Sequence, residues 1–421
     1  MASPKIHPEF KRIFSDMVTA RRMLHAWPEL GFEEVKTSSY VAEELRALPG
    51  ISVHRGLAKT GVVGIYRGRT ASPTIAFRAD MDGLPVNERP SHFRDASWVS
   101  KNPGVSHACG HDGHIVMLLF FAKVLVHLYP PSTFDGTLVF VFQPAEEGGG
   151  GAEKMLADNL LSVGDIKDID AFYGIHLMSG VPLGKLAIKS GPIMAGIDTF
   201  DIHVQGVGGH GAMPHQTVDS ILVATALVQQ LHHIVSRNTD PMEAAVLTVG
   251  KINAGTAVNV IADSAEINGT IRHFNAAVQS VLHDRIKTLC AGVAKAYDCT
   301  IEAKVDPEYP PTINHEKETE IVVRSVKKVL GEDGILRMQK GVMGSEDFSY
   351  FLNVRPGAFM FVGAAVSDKD INKYPHHSPI FEFHEDALLI GASIWLQLFE
   401  DIFIQPSVRS GLTAMGTGSR L

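Results

Sequence analysis

Three short segments of the chain gather side chains that bind metals or move protons. The densest is Ser106-His107-Ala108-Cys109-Gly110-His111-Asp112-Gly113-His114, which opens an apolar run. Thiolate and imidazole are the ligands that borderline divalent metals prefer. Cys109 and His111 stand close enough in sequence to share one centre, and a helix N-terminus there would favour the thiolate. The ordinary alternative is a buried cysteine among capping residues. Polar ligand types have no packing reason to cluster in this way, so metal is the stronger reading.

The second segment, Arg78-Ala79-Asp80-Met81-Asp82-Gly83-Leu84-Pro85, carries two carboxylates two residues apart. In extended chain they share one side; a capping aspartate before a turn would look the same. The third runs from Gln143 through Glu146 and Glu147 to four successive glycines, Gly148 to Gly151. Adjacent carboxylates point different ways, so one can bind metal while its neighbour faces a substrate. The glycines let backbone approach closely. No Gly-Lys-Ser/Thr follows, so this is no phosphate loop. His176 and His377 stand alone and gain weight as ligands only through the other clusters. Gly206-Val-Gly208-Gly-His210-Gly211 matches the dinucleotide fingerprint in letters. Met213-Pro214-His215 intervenes before the next helix, and no acidic residue follows in a βαβ context.

These clusters need strand ends to hold them. Gly61–Tyr66, Thr74–Arg78, Gly136–Phe142 and Ile169–Ile175 read as strands, and the uninterrupted apolar character of Gly136–Phe142 suits a sheet covered on both faces. Pro8–Trp27, Lys36–Leu48 and Asp112–Leu128 read as helices. After Pro192 the rhythm becomes strand Thr199–Val204, helix Val218–Val235, strands Ala244–Ile252 and Ala262–Arg272, helix Ala276–Ala296, strand Thr300–Val305. That order is the β-α-β-β-α-β, ferredoxin-like unit. The expected architecture is an α/β domain made of residues 1–192 and 307–421, interrupted by a smaller domain at 193–306. The Pro-rich stretch Asp306–Thr312 reads as the return linker and the residues after 405 as a flexible tail.

Composition bounds the function. The 421 residues are 45% hydrophobic, enough for a real core, and the net charge of −8 provides no general field for nucleic acid. Three cysteines form no disulfide framework, so a reducing, cytoplasmic setting is expected. No secretory leader is read at the N-terminus, and the stretch His114–Leu128, interrupted by Lys123 and His127, reads as too short to span a bilayer. The terminal Ser419-Arg420-Leu421 is a near miss to the peroxisomal address and would matter only in a eukaryote.

Taken in order, Arg-Ala-Asp-Met-Asp-Gly-Leu-Pro, His-Ala-Cys-Gly-His-Asp, Pro-Ala-Glu-Glu-Gly-Gly-Gly-Gly, Gly-Ile-His-Leu, Gly-Gly-His-Gly-Ala-Met-Pro-His and Gly-Ser-Glu-Asp-Phe form a specific series. The chain resembles the metal-dependent amidohydrolases that include hippurate hydrolase, aminoacylases and plant indole-3-acetyl-amino-acid hydrolases, a branch of the co-catalytic metallopeptidases. The resemblance covers roughly Met17 to Phe403. It implies a metallopeptidase-like α/β domain with an inserted lid. It implies two divalent metals, zinc or manganese first and cobalt or nickel next, held by Cys109, His111, Glu147, His176 and His377, with Cys109 bridging. It further implies Glu146 as general base, Asp82 as the residue that orients the metal centre, His210 as oxyanion stabiliser, and Asn259 and Arg272 as holders of the substrate carboxylate. Asp80 stands where wider relatives carry a histidine ligand and is not assigned to metal; of the adjacent pair, His377 is favoured over His376. Glu346 and Asp347 receive no role. The implied reaction is hydrolysis of the amide of a small-molecule N-acyl amino acid, with a dipeptidase or carboxypeptidase as the alternative. A homodimer formed through the lid is implied as well.

Overall fold

The computed structural model describes residues 3–89, 97–367, 369, 371 and 373–404. The tail and the Ser419-Arg420-Leu421 tripeptide therefore lie outside the described residues. The chain packs as two compact units: Met1–Ile193 with Ile313–Lys340 and Tyr350–Leu421, and Met194–Thr312 with Gly341–Ser349.

The first unit is built on an eight-stranded mixed sheet. Its order is Ile51–Leu57, Gly61–Arg67, Thr137–Gln143, Thr74–Asp80, Ala171–Met178, Gly357–Gly363, Leu186–Ile188, Ile335–Arg337. The four strands from Thr137–Gln143 to Gly357–Gly363 run parallel. Thr74–Asp80, Thr137–Gln143 and Gly357–Gly363 are buried along their whole lengths, which is why their sequences are nearly unbroken apolar runs. Helices His111–Leu128 and Asp386–Phe399 pack together in this core, and Phe77 of the central strand stacks on Trp395 at 4.5 Å. The segments His111–Leu128 and Asp386–Ile404 are long and apolar enough to cross a membrane by composition, contrary to the reading of His114–Leu128; they are mostly buried inside the unit, and that burial accounts for their apolar character.

The second unit is a four-stranded antiparallel sheet, Val246–Ala254, Ser264–His273, Gly196–Gln205, Thr300–Tyr309, with helices Ser220–Arg237 and Ala276–Tyr297. Numbered by chain order, the strands lie 2-3-1-4, the ferredoxin-like arrangement. Phe200, Ile202, Leu227, Ile267, Leu282 and Ile286 are among its fully buried residues.

Two boundaries depart from the sequence reading. The strand beginning at Thr300 runs on to Tyr309, through the supposed linker. Pro307 is tolerated there because this is an edge strand, and the register shifts between Pro307 and Tyr309. Gly341–Ser349, expected with the first unit, groups with the second. Ala195 N donates to Val342 O and Gly344 O, both at 3.0 Å, and Arg272 Nε donates to Met343 O at 3.2 Å. The helix expected over Pro8–Trp27 is two, Pro8–Arg12 and Phe14–Ala26, broken at Ile13.

Candidate functional site

The carboxyl ends of the parallel strands are where an α/β sheet leaves room for chemistry. Thr74–Asp80 ends at Asp80 and delivers Asp82 just beyond it. Thr137–Gln143 delivers Glu146 and Glu147, and Ala171–Met178 delivers His176 near its end. Cys109 and His111 flank Gly110, which sits at φ +90 and turns the chain into the helix His111–Leu128.

These side chains converge. The ligand atoms of Cys109, His111 and His176 form one group, those of Cys109, Glu147 and His377 a second, and those of His111, Glu146 and Glu147 a third, each within 4.8 Å. Cys109 Sγ lies 3.4 Å from His176 Nε2, and His377 Nε2 lies 3.1 Å from Glu147 Oε1. Thus all five expected ligands meet, with Cys109 common to two groups. His377 adopts φ +61, a left-handed turn outside helix and strand.

Hydrogen bonds fix which imidazole nitrogens are free. His111 Nδ1 donates to the carbonyl of Asp82 at 2.9 Å, and His176 Nδ1 donates to its neighbour Leu177 O at 2.6 Å. In both rings Nε2 is the nitrogen that faces the cluster. His114 differs: its Nε2 accepts from Leu177 N at 2.8 Å and its Nδ1 donates to Asp80 Oδ1 at 2.6 Å. Neither nitrogen of His114 is left to bind a metal. Asp80 is also paired with Arg78 at 2.8 Å, so it braces the site from behind.

Asp82 ties the loop together. Its Oδ1 accepts from Glu146 N and its Oδ2 from Glu147 N, both at 3.0 Å. The two glutamate side chains leave this clamp in different directions, as adjacent residues of non-helical chain must.

The electrostatics call for a cation. Asp80, Asp82, Glu146 and Glu147 crowd a buried space, whereas the buried guanidinium of Arg78 is already committed to Asp80 and Gln143. Burial alone would lower the His111 pKa, but Asp80, Asp82 and Glu147 outweigh it and raise it to about 10. Burial, then Glu147 and Glu146, push the Cys109 thiol well up. Burial and then His114 and His376 drive His176 well down, leaving a neutral imidazole. His111 Nε2 is buried without a hydrogen-bond partner. An orphaned imidazole nitrogen beside a thiol and surplus negative charge fits a pair of divalent cations.

The three remaining expected residues belong to the second unit. His210 is exposed on the short strand Gly209–His210, and its Nδ1 accepts from Ala212 N at 3.0 Å. Its strand pairs with Val260–Ile261, and Gly211 N donates to Asn259 O at 2.8 Å, so His210 and Asn259 are neighbours. Arg272 lies on Ser264–His273. Glu346, in the same unit, accepts at Oε1 from Phe348 N at 3.0 Å.

Sequence reasoning passed over His376 in favour of its neighbour and missed Glu34. His376 is half-buried with Nδ1 3.6 Å from Cys109 Sγ, and its Nε2 accepts from Ser179 N at 3.1 Å, leaving only one nitrogen toward the cluster. Glu34 is buried against Ala145, just ahead of the two glutamates and 111 positions away in sequence. No local motif announces such a pairing.

The model of peptidase family M20/M25/M40 matches residues 76–401. An IAA-amino acid hydrolase of Arabidopsis thaliana, ILR1-like 2, is 40% identical over 388 residues, 91% of this chain and 84% of its own. A hippurate hydrolase of Campylobacter jejuni is 35% identical over 391 residues, 93% of this chain and 97% of its own. The crystal structure of a dinuclear metal-binding M20 peptidase from Bacillus subtilis superposes with TM-score 0.76 at 29% identity, covering 92% and 98% of the two chains.

Proposed function

The chain belongs to peptidase family M20/M25/M40, and on that footing we propose that it hydrolyses the amide bond of N-acyl amino acids to a carboxylic acid and a free amino acid. The observation that carries the reading is the Asp82 clamp. It fixes Glu147 among the metal-type donors and leaves the adjacent Glu146 as a second carboxylate at the same place. The named activities of the Arabidopsis and Campylobacter relatives support the substrate class.

Cys109, His111, Glu147, His176 and His377 would hold two divalent ions. Zinc or manganese suits the mixed thiolate, imidazole and carboxylate set first, with cobalt or nickel admitted by the same donors. Such ions, when bound, polarise a scissile carbonyl and lower the pKa of water. Glu146 accepts the proton of the attacking water at its carboxylate and returns it to the departing amide nitrogen. Asp82 keeps Glu146 and Glu147 in register by holding both backbone amides. His210 takes the oxyanion role, and Arg272 with Asn259 holds the substrate carboxylate, a task suited to a planar two-pronged donor.

Glu146→Gln is expected to keep the bound metals and lose about 100- to 10,000-fold in kcat. Near-normal turnover would remove Glu146 from its role. Rates on hippurate, an acetylated amino acid and a dipeptide separate the amidohydrolase from a dipeptidase; a strong preference for the dipeptide would overturn the substrate class.

The same proposal includes association of two copies through the second unit. Supporting it, Val246–Ala254 is an edge strand whose outer residues are exposed, and Ile221, Leu222, Ile252, Val258 and Val260 place apolar side chains in solvent on this unit. Light scattering after gel filtration should give twice the chain mass, and a monomer at micromolar concentration would contradict it. A cytoplasmic location, supported by the sparse free cysteines, stays part of the proposal and is tested by fractionation.

A further inference from the structure

Between the helices Phe14–Ala26 and Val35–Arg46 the chain runs as a strut along the two loops that carry the carboxylates. Glu29 O accepts from Gly83 N at 2.7 Å, and Leu30 bridges to Gly83. Gly31 lies against Ala145 so closely that a Cβ there would fall 2.9 Å from the Ala145 Cβ. At the end of the strut the fully buried Glu34 accepts from Ala145 N with Oε1 at 2.8 Å and from the Thr60 hydroxyl with Oε2 at 2.6 Å.

Ala145 is itself unusual. It holds φ +51, the left-handed region that a residue with a Cβ avoids. This residue sets the direction in which the chain leaves Pro144, and with it the direction of Glu146. Three successive amides, those of Ala145, Glu146 and Glu147, therefore end on carboxylate oxygens, the first on Glu34 and the other two on Asp82. Burying a carboxylate without a partner is costly, and an orphaned amide in the interior is costly too. The pairing of Glu34 with Ala145 satisfies both at the one strained position of the turn.

We infer that Glu34 is a positioning residue for Glu146: its carboxylate holds the left-handed turn at Ala145 and so aims the neighbouring carboxylate. It acts through a backbone amide and touches neither substrate nor the metal-type donors. The inference rests on the assignment of Glu146 as general base. Burial raises the Glu34 pKa, with the Thr60 bond opposing and Asp82 adding to the rise. The acceptor facing Ala145 N persists in either protonation state, so geometry rather than charge is the operative property. Glutamine retains that acceptor and alanine does not.

The test uses the full-length protein with metals loaded, on an N-acyl amino acid. Glu34→Ala should lower kcat about 100-fold, the scale for a misplaced catalytic group, while KM stays within about threefold and metal content is unchanged. Glu34→Gln should recover most of the loss. An activity-independent readout is hydrogen–deuterium exchange of the peptide spanning 144–150 in metal-free protein. It should speed up in Glu34→Ala and remain slow in Glu34→Gln. Should Glu34→Ala not fold, Thr60→Val removes one of the two restraints on the carboxylate. It should speed the same exchange and lower kcat about fivefold, a loss of one hydrogen bond. The inference is overturned by a kcat in Glu34→Ala within about threefold of the parent, by loss of metal in parallel with kcat, by a glutamine variant as impaired as alanine, or by unchanged exchange. Glu146→Gln run alongside separates the two levels. If Glu146→Gln is active, the functional reading itself fails. If it is inactive while Glu34→Ala is near normal, only the role of Glu34 fails.

Discussion

Replacing Asp82 with asparagine tests the scaffold of the site with little change in shape. Each carboxylate oxygen accepts one amide at 3.0 Å, from Glu146 and Glu147. Asparagine has one carbonyl oxygen, so one amide keeps its acceptor and the other meets an NH2 donor. The lost charge-assisted bond is worth about 1.5–3 kcal/mol, and a donor left unsatisfied in a buried place costs about 1–3 kcal/mol. These overlap, because part of each describes the same amide. The net loss in folding stability should be about 2–4 kcal/mol. The loop must also rotate one glutamate away from the mismatched donor, and a displacement near 1 Å costs about 100-fold in rate. Urea denaturation gives the stability term, and steady-state kinetics with metal analysis gives the catalytic one. A variant within about 0.5 kcal/mol of the parent, the range of an ordinary surface change, with normal kcat would refute the clamp.

Three other outcomes follow from the structure. Arg21 is fully buried, paired with Asp112 at 2.9 Å and Glu382 at 3.4 Å, and Arg21→Met should cost about 3–5 kcal/mol because it removes the guanidinium charge from two buried carboxylates; a denaturation midpoint like the parent's would contradict this. In the second unit, burial alone would raise the Asp198 pKa, but the His273 imidazole 3.5 Å away and hydrogen bonds from His283 and Gln279 hold it below its ordinary value. Its folded pKa is thus lower than its unfolded one, so its stabilisation is complete above about pH 4 and fades as pH falls through the folded value. Asp198→Asn should cost about 1–3 kcal/mol at neutral pH, with the gap closing in acid; a gap that ignores pH would contradict the assignment. Chelation should lower the thermal midpoint of the parent and leave that of a Cys109→Ala, His111→Ala double variant nearly unchanged, since ligands stabilise only a state that binds them.

Much of this was readable because the chemistry is local in sequence. Cys109 and His111, Glu146 and Glu147, and Asp80 and Asp82 each sit within three residues at a strand or helix end. Their residue types could be interpreted before any contact was known, and the family series placed His176 and His377 with them. The ferredoxin-like unit was readable because each of its six elements carries its own apolar period. What escaped depends on long-range partners. Glu34 looks like a surface glutamate among Glu29, Glu33 and Glu34 until the sheet brings Ala145 to it. His376 and His377 are the same residue type side by side. Only the structure shows that His376 spends one nitrogen on Ser179, while His377 turns with a positive φ toward Glu147. Strands toward the two ends of the large sheet were also missed. Ile51–Leu57 is half exposed, and Leu186–Ile188 and Ile335–Arg337 span three residues each, too few for a period to declare itself.

Five side chains from four separate stretches must grip a pair of divalent ions for the account to stand. Elemental analysis of the purified protein after dialysis against zinc or manganese measures this directly. The account predicts two equivalents per chain in the parent and in Glu146→Gln, falling to one or none in Cys109→Ala. A parent protein that retains no divalent metal, or a Cys109→Ala variant that retains the full complement, would contradict it.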